Sequence, residues 1–419
     1  MPLPTDMKHI LSLLTLIAVL TVPLYADDAE KTSLFTTPVF LQIPSETSIG
    51  AVWGVNGPAA GFVEYSTNED LSDAKRVYAC VPPLRSIQEK VLSVRIRGLE
   101  PNTKYYYRAA TMPVDYPNAY HVKVGKPEFS AVHSFTTMGE KAQSSFAVIN
   151  DTHSEYDTVK AVHKKLKALQ PPVVIWNGDA ADQYKSEEKT INSILNLTGR
   201  AMAENYAFLF VPGNHDYRGA WVRNLDTVLL TRNPEERDSK YWALGRNFAV
   251  RQGDIALIGL DTGESKSDDN PDLQGLAEFE SYRELQTQWL KETLERPEIK
   301  SAPFIVAFCH IPMIIPRDGA EPGQFVWSRA TSYQWGQLFS QHGVQVVITA
   351  HKHRYRCDEP TEDRPWTHFV GGGKSPKTAT VFHGTVEDGK LIIRVYRIED
   401  DSIIKEVKFE KRKLLAPSF

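Results

Sequence analysis

The chain has 419 residues, 42% hydrophobic and 24% charged, with a formal net charge of -4. This is the composition of a globular protein of two or three domains with enough length to bury a sizeable core. The lack of a basic excess argues against a dedicated nucleic-acid partner.

At the N-terminus, Lys8 and His9 precede the apolar stretch 10–20, interrupted only by Ser12 and Thr15. Pro23-Leu24-Tyr25-Ala26 follows, ahead of Asp27-Asp28. A short basic region, a short apolar run and a small residue at the cut predict a signal peptide over 1–26 and export to the periplasm or medium. The run is short for the ~30 Å of a bilayer core, so no stable membrane anchor is expected after cleavage.

Residues 34–137 alternate polar and apolar side chains in strand-length runs at 48–53, 61–65, 91–96 and 105–109. Turn residues separate them, which predicts an all-β sandwich. The segment Leu99-Glu100-Pro101-Asn102-Thr103-Lys104-Tyr105 resembles the tyrosine corner of fibronectin type III domains, and Ser134-Phe135-Thr136-Thr137 resembles their closing strand. From 145 the rhythm changes. Strands at 146–150, 173–177, 206–211, 255–260, 303–309 and 344–349 alternate with helices at 156–169, 187–204, 278–295 and 329–342. Strand character returns over 378–411. The pattern predicts an α/β domain at 145–415, a sheet covered by helices.

Five short motifs fall where these strands end: Asn150-Asp151-Thr152-His153, Asn177-Gly178-Asp179, Gly213-Asn214-His215-Asp216, His310, and Ala350-His351-Lys352-His353. Ligand sites of open α/β sheets gather at the carboxyl ends of strands, so segments far apart in sequence can meet in one crevice. Taken singly, each motif has a bland reading. Gly-Asp is usually a turn, His310 a core histidine, and His-x-His a pair of solvated loop imidazoles. In this order, each at a strand end, coincidence has little room. Asp, Asn and His without Cys suit Fe, Mn or Zn rather than a structural zinc site. A carboxylate such as Asp179 can bridge two cations.

The motifs resemble the five blocks of the calcineurin-like metallophosphoesterase superfamily, and a fibronectin-like domain in front resembles the layout of purple acid phosphatases. The resemblance implies a two-sheet β sandwich flanked by helices. It implies one metal on Asp151, His153, Asp179 and His353, and a second on Asp179, Asn214, His310 and His351. His215 would touch the phosphoryl oxygen or protonate the leaving alkoxide, with Asp216 orienting its ring. The implied reaction is in-line hydrolysis of a small phosphate ester by a hydroxide that the metals hold. The purple enzymes carry a Tyr iron ligand three residues after the bridging Asp; this sequence has Asp182 there, and Tyr184 two residues on.

Lys352, Arg354, Arg356, Arg218 and Arg317 are candidate phosphate contacts, and the first four favour monoesters; a diesterase is the alternative on the same site. A non-catalytic exported binding protein with a relic domain is the rival class, and the intact set of motif residues speaks against it. The three cysteines do not form a disulfide framework. They leave room for one bridge, with Cys309 and Cys357 the better pair because both adjoin motifs.

Overall fold

Two strands set the architecture. In Ser145–Ile149 and Val173–Asn177 every residue is buried, and successive side chains point to opposite faces. Phe146, Val148, Val173 and Ile175 fill one core, while Ala147, Ile149, Val174 and Trp176 fill another. A strand apolar on both faces needs a cover on each side. Helix Tyr156–Leu169 provides one cover through Val159, Val162 and Leu166. A second sheet provides the other.

The computed structural model describes residues 32–202, 206–231, 239–313 and 329–413; the expected signal peptide and Arg317 lie outside them. The first sheet has nine strands in the order Ile403–Phe409, Lys390–Arg397, Thr380–Glu387, Ser145–Ile149, Val173–Asn177, Ala207–Val211, Phe40–Gln42, Ser48–Gly54 and Val91–Arg97. The second has six: Phe248–Gln252, Ile255–Gly259, Phe304–Phe308, Val346–Thr349, Thr367–Val370 and Arg356–Asp358. Phe304, Val306, Phe308, Val346 and Ile348 meet the first sheet, whereas Ile305, Ala307 and Val347 face Trp289 and Leu290 of helix Phe279–Leu294 and Phe339 of helix Arg329–Gln341. Helix, sheet, sheet and helix stack as four layers. Among the described residues no helix is long and apolar enough to cross a membrane.

The N-terminal strands are not a separate bead. Phe40–Gln42 pairs in parallel with Ala207–Val211, and Ile43 N–H donates to the Phe208 carbonyl at 2.8 Å. Buried Gln42 fixes the seam, donating to the Val228 carbonyl and accepting from Leu230 N–H, both at 2.8 Å. A further sheet, containing Ala59–Ser66, Lys75–Tyr78 and Lys104–Asn118, packs on Phe40–Gln42, Ser48–Gly54 and Val91–Arg97 through Trp53, Val63 and Tyr107. Tyr105 Oη accepts from Glu100 N–H at 3.0 Å, tying the Leu99–Tyr105 turn back on itself.

Differences from the sequence reading are local. Residues 187–202 are helical with a π-helical stretch over Asn192–Thr198. Strands Phe248–Gln252, Arg356–Asp358 and Thr367–Val370 were not expected; the last two have only three and four residues. The proposed Cys309–Cys357 bridge is corrected, because all three cysteines are free. Cys309 follows Phe304–Phe308 and Cys357 lies in Arg356–Asp358, with two strands between them. Three strand spacings of about 4.8 Å exceed the ~7 Å that a disulfide spans between Cα atoms.

Candidate metal centre

All five motifs sit at the carboxyl ends of their strands, and at three of them the chain turns through left-handed backbone. Asp151 and His153 have φ of 46°, Asp179 of 53°, His351 of 70° and His353 of 52°. Residues with a Cβ rarely adopt this left-handed region, and such conformations persist where surrounding structure enforces them. Two glycines make the crowding possible. A Cβ on Gly178 would overlap His310, and one on Gly213 would overlap Asp179 and His310.

The seven residues expected as metal ligands come together. The ligand atoms of Asp151, His153, Asp179 and His353 all lie within 4.8 Å of one another, as do those of Asp179, His310 and His351. Asn214 joins the second group, its Oδ1 2.8 Å from His351 Nδ1. Asp179 is common to both: its Oδ2 lies 3.5 Å from His153 Nε2 and 3.2 Å from His310 Nε2. His153 Nε2 and His353 Nε2 face each other at 3.1 Å, and His353 Nε2 is 3.1 Å from Asp151 Oδ1.

The surrounding groups aim these atoms inward. Asp151 Oδ2 accepts from Asn150 Nδ2 at 2.7 Å and from His351 N–H at 3.1 Å, leaving Oδ1 for the centre. His310 Nδ1 donates to the Asn177 carbonyl at 2.9 Å, so its lone pair is on Nε2. His153 Nδ1 meets Asp182 Oδ1 at 2.7 Å. A carboxylate or carbonyl behind a histidine fixes its tautomer and raises its basicity toward a metal. Asp151 Oδ1 and His310 Nε2 are buried and, close approaches within the cluster apart, make no hydrogen bond among the described residues. Buried polar atoms left that way are costly, and a cation between them would satisfy both. The charge balance agrees. Burial pushes the His310 imidazole down, but Asp179 and Asp151 outweigh it and raise it to about 10. The residues therefore fit metal ions.

Asp216 departs from its expected role. It does not hold the His215 ring. Its Oδ2 accepts from Gly213 N–H and Asp179 N–H at 2.8 Å, and its Oδ1 from Ala180 N–H at 3.2 Å and Tyr184 Oη at 2.6 Å. Asp216 is thus a clasp that binds the second motif to the third. Burial, with Asp179 nearby, pushes its carboxyl up to about 6. Tyr184, fully buried, is committed to this clasp.

His215 Nδ1 lies 2.9 Å from the Asp182 carbonyl, and its Nε2 lies 3.0 Å from Arg218 Nη1. Arginine only donates, so Nε2 accepts and the proton sits on Nδ1. Arg218 is gripped by Glu264 through Nε at 2.8 Å and Nη2 at 3.1 Å. Glu264 belongs to a sixth strand-end segment, 261–264, after Ile255–Gly259. Buried Arg283 holds that segment by donating to the Thr262 and Glu264 carbonyls at 2.9 and 2.7 Å. The sequence reading missed Glu264 because an isolated acid after a strand has no motif around it. It missed the supporting role of Asp182, a carboxylate read only as the place of an absent Tyr. Of the other cations, Arg356 is engaged by Asp358 at 3.0 Å, while Lys352 and Arg354 are exposed. Lys185 and Lys189, not singled out before, line a cavity of about 310 Å³ beside His153 and Asp182.

The profile of the calcineurin-like phosphoesterase family matches residues 144–355. The chain belongs to that family. In sequence it is 21% identical over 312 residues to purple acid phosphatase 15 of Arabidopsis thaliana, across 70% of this chain and 55% of that protein. It thus spans little more than half of that relative. In structure it is similar to purple acid phosphatase PPD1 of yellow lupin (Lupinus luteus), with a TM-score of 0.63 at 12% identity over 90% of this chain and 75% of that one. The second likeness is one of fold. Calcineurin-like phosphoesterase architecture accounts for the paired sheets, with the Asp and His cluster at their strand ends.

Proposed function

We propose that this chain is a dinuclear-metal phosphoesterase that hydrolyses phosphate monoesters. The observation that carries the reading is the position of Asp179 Oδ2, 3.5 Å from His153 Nε2 and 3.2 Å from His310 Nε2, between two groups of metal-binding atoms. Two bound cations would supply a hydroxide nucleophile at neutral pH and neutralise charge at phosphorus. Asp151, His153, Asp179 and His353 would hold one, and Asp179, Asn214, His310 and His351 the other, from among Fe, Mn and Zn. Arg218 and His215 line the approach. Arg218, fixed by Glu264, presents N–H groups to a phosphoryl oxygen. For His215 to protonate a leaving alkoxide, its contact with Arg218 must open as substrate enters and its Nε2 must first take up a proton from solvent.

Three finer readings go with this. Tyr184 donates to Asp216, which supports a centre without a phenolate ligand and hence without the purple colour. The Tyr105–Glu100 bond and the packing of the two N-terminal sheets support a fibronectin type III-like domain over 34–137 ahead of a catalytic domain over 145–415. The sequence at 1–26 supports export, with a small phosphate ester as partner.

A diesterase reading has one observation in its favour: cavities flank the centre on both sides, next to Arg218 and next to Asp182. Comparing kcat/KM for nitrophenyl phosphate and bis(nitrophenyl) phosphate on protein reconstituted with each metal decides between them. The monoesterase reading expects the monoester to lead. A tenfold advantage for the diester, about 1.4 kcal/mol of transition-state binding, would reverse it, and no hydrolysis of either with two metals bound would end the enzyme reading.

A further inference from the structure

Next to the candidate centre lies a cavity of about 1140 Å³. Its wall includes Arg218 and Glu264, the ion pair whose arginine touches His215. It therefore opens beside His215, the residue proposed to meet the leaving oxygen. The rest of the wall sets apolar side chains, among them Val222, Trp242, Leu273, Leu276, Phe279 and Leu285, beside charged ones at Arg223, Lys266, Asp272 and Glu278.

Two features mark it as a place for a ligand. Trp242 is 70% exposed and Leu276 71% exposed, although both line a concavity where apolar side chains normally bury themselves. Ligand sites combine such apolar walls with a few placed polar groups. Of the polar groups in this wall, Arg246 is the one short of a partner. One of its guanidinium nitrogens pairs with Asp226, while Nη1 is buried and makes no hydrogen bond among the described residues. A buried donor in that state is costly unless an acceptor arrives.

Resting on the phosphoesterase reading, we infer that this cavity receives the alcohol half of the substrate, a large apolar group of aromatic-ring size or more that carries a hydrogen-bond acceptor for Arg246. The volume sets the lower bound. It lies just above the ~300–1,000 Å³ of small-molecule sites, so a short alkyl group or one phenyl ring leaves most of it wet. A second fused ring would lie against Trp242 and Phe279, which favour offset or edge-on aromatic contacts. Arg218, gripped by Glu264, separates the phosphoryl end from the alcohol end.

The test compares phenyl phosphate with 2-naphthyl phosphate, esters of similar leaving-group acidity, on the metal-loaded full chain. The wild-type kcat/KM should favour the naphthyl ester by at least tenfold. In Trp242→Ala and in Leu276→Ser the naphthyl-to-phenyl ratio should fall toward one; both side chains are exposed, so folding is not at issue. Calorimetric titration with 2-naphthyl phosphonate, which is not hydrolysed, gives a readout free of turnover. Wild type should bind it at least tenfold more tightly than phenyl phosphonate, and Trp242→Ala should not. A third probe, 2-naphthyl phosphonate bearing a 6-carboxamide, should gain affinity in wild type and lose that gain in Arg246→Lys. Equal kcat/KM for phenyl and naphthyl esters, or equal affinity for the two phosphonates, would overturn the inference while leaving the enzyme reading intact. Failure to hydrolyse either ester, with the phosphonate preference retained, would overturn the enzyme reading instead.

Discussion

Asp182 gives the sharpest perturbation of the centre. The His153 ring is buried, with only 1% of its side chain exposed, and its Nδ1 meets Asp182 Oδ1 at 2.7 Å; the Asp182 side chain is 54% exposed. Replacing Asp182 therefore removes one support of a buried ligand without opening the core. The backbone carbonyl that holds His215 Nδ1 survives the change. Loss of such an outer partner weakens metal binding about 10–100-fold, or about 1.4–2.7 kcal/mol. Asp182→Ala should show this loss at the metal held by His153 and His353, and little at the one held by His310 and His351. Asp182→Asn keeps an acceptor for the ring N–H but loses the charge, so its loss should be the smaller. The assay is competition for metal with a calibrated chelator at fixed pH and ionic strength, with melting of the metal-free forms as the control for folding. Wild-type affinity in Asp182→Ala, or an equal loss at both metals, would refute the reasoning.

Tyr184→Phe removes one of four donors to buried Asp216; it should lower the unfolding free energy by about 1–3 kcal/mol in a denaturant titration and leave the visible spectrum of iron-loaded protein unchanged. Gly213→Ala places a Cβ against Asp179 and His310; elemental analysis should find the metals lost, while Gly57→Ala, which strains a φ of 83° but has open space around it and lies away from the motifs, keeps them. His215→Ala should retain its metals and lose about 10²–10⁴ in kcat, less for esters with good leaving groups; an equal loss for all esters would remove the general-acid role. For buried Glu64, burial raises the carboxyl, but hydrogen bonds from Arg76 and Arg108 outweigh it and hold the pKa below the usual range. The stability it adds is present above the unfolded-state pKa and disappears as pH falls through the folded one; Glu64→Gln should cost about 1 kcal/mol at neutral pH and converge with wild type in acid.

What could be read from the sequence follows from how far each signal reaches. Helix Tyr156–Leu169 and strand Val173–Asn177 were placed to the residue because one face of the helix and both faces of the strand are apolar, and neighbouring residues carry that pattern. The motif residues were readable because each lies directly after such a strand. Thr367–Val370 was not readable: four residues show no period, and the strand exists because it completes the sheet beside Val346–Thr349. The roles of Asp216 and Asp182 were not readable for a related reason. Sequence order puts Asp216 next to His215, yet its carboxylate turns back to the amides of Gly213, Asp179 and Ala180. Asp182, 29 residues from His153, supports that ring instead. Proximity along the chain is a poor guide to a side chain's partner where strand-end turns from distant parts of the sequence converge.

The same turns explain why the centre needs so large a scaffold. Five of the seven candidate ligands are strand-end residues, Asp151, His153, Asp179, His351 and His353, that adopt positive φ. Each costs about 1–3 kcal/mol and persists only where the surroundings enforce it. The enforcing contacts come from neighbouring strands: His153 N–H donates to the Asp179 carbonyl at 2.9 Å, Asp151 N–H to the Gly178 carbonyl at 3.0 Å, and Ala350 N–H to the His310 carbonyl at 2.8 Å. Each strained turn is therefore held by the next one. That arrangement requires the strands to keep their register, and register is strongly specified where a face is buried. Ala207–Val211, which leads into Asn214 and His215, would be the edge of the catalytic sheet without Phe40–Gln42 beside it. An edge strand has unpaired backbone groups and one free flank. By pairing with Ala207–Val211 and clamping it through Gln42, the N-terminal region closes that flank and becomes part of what holds the third motif in place.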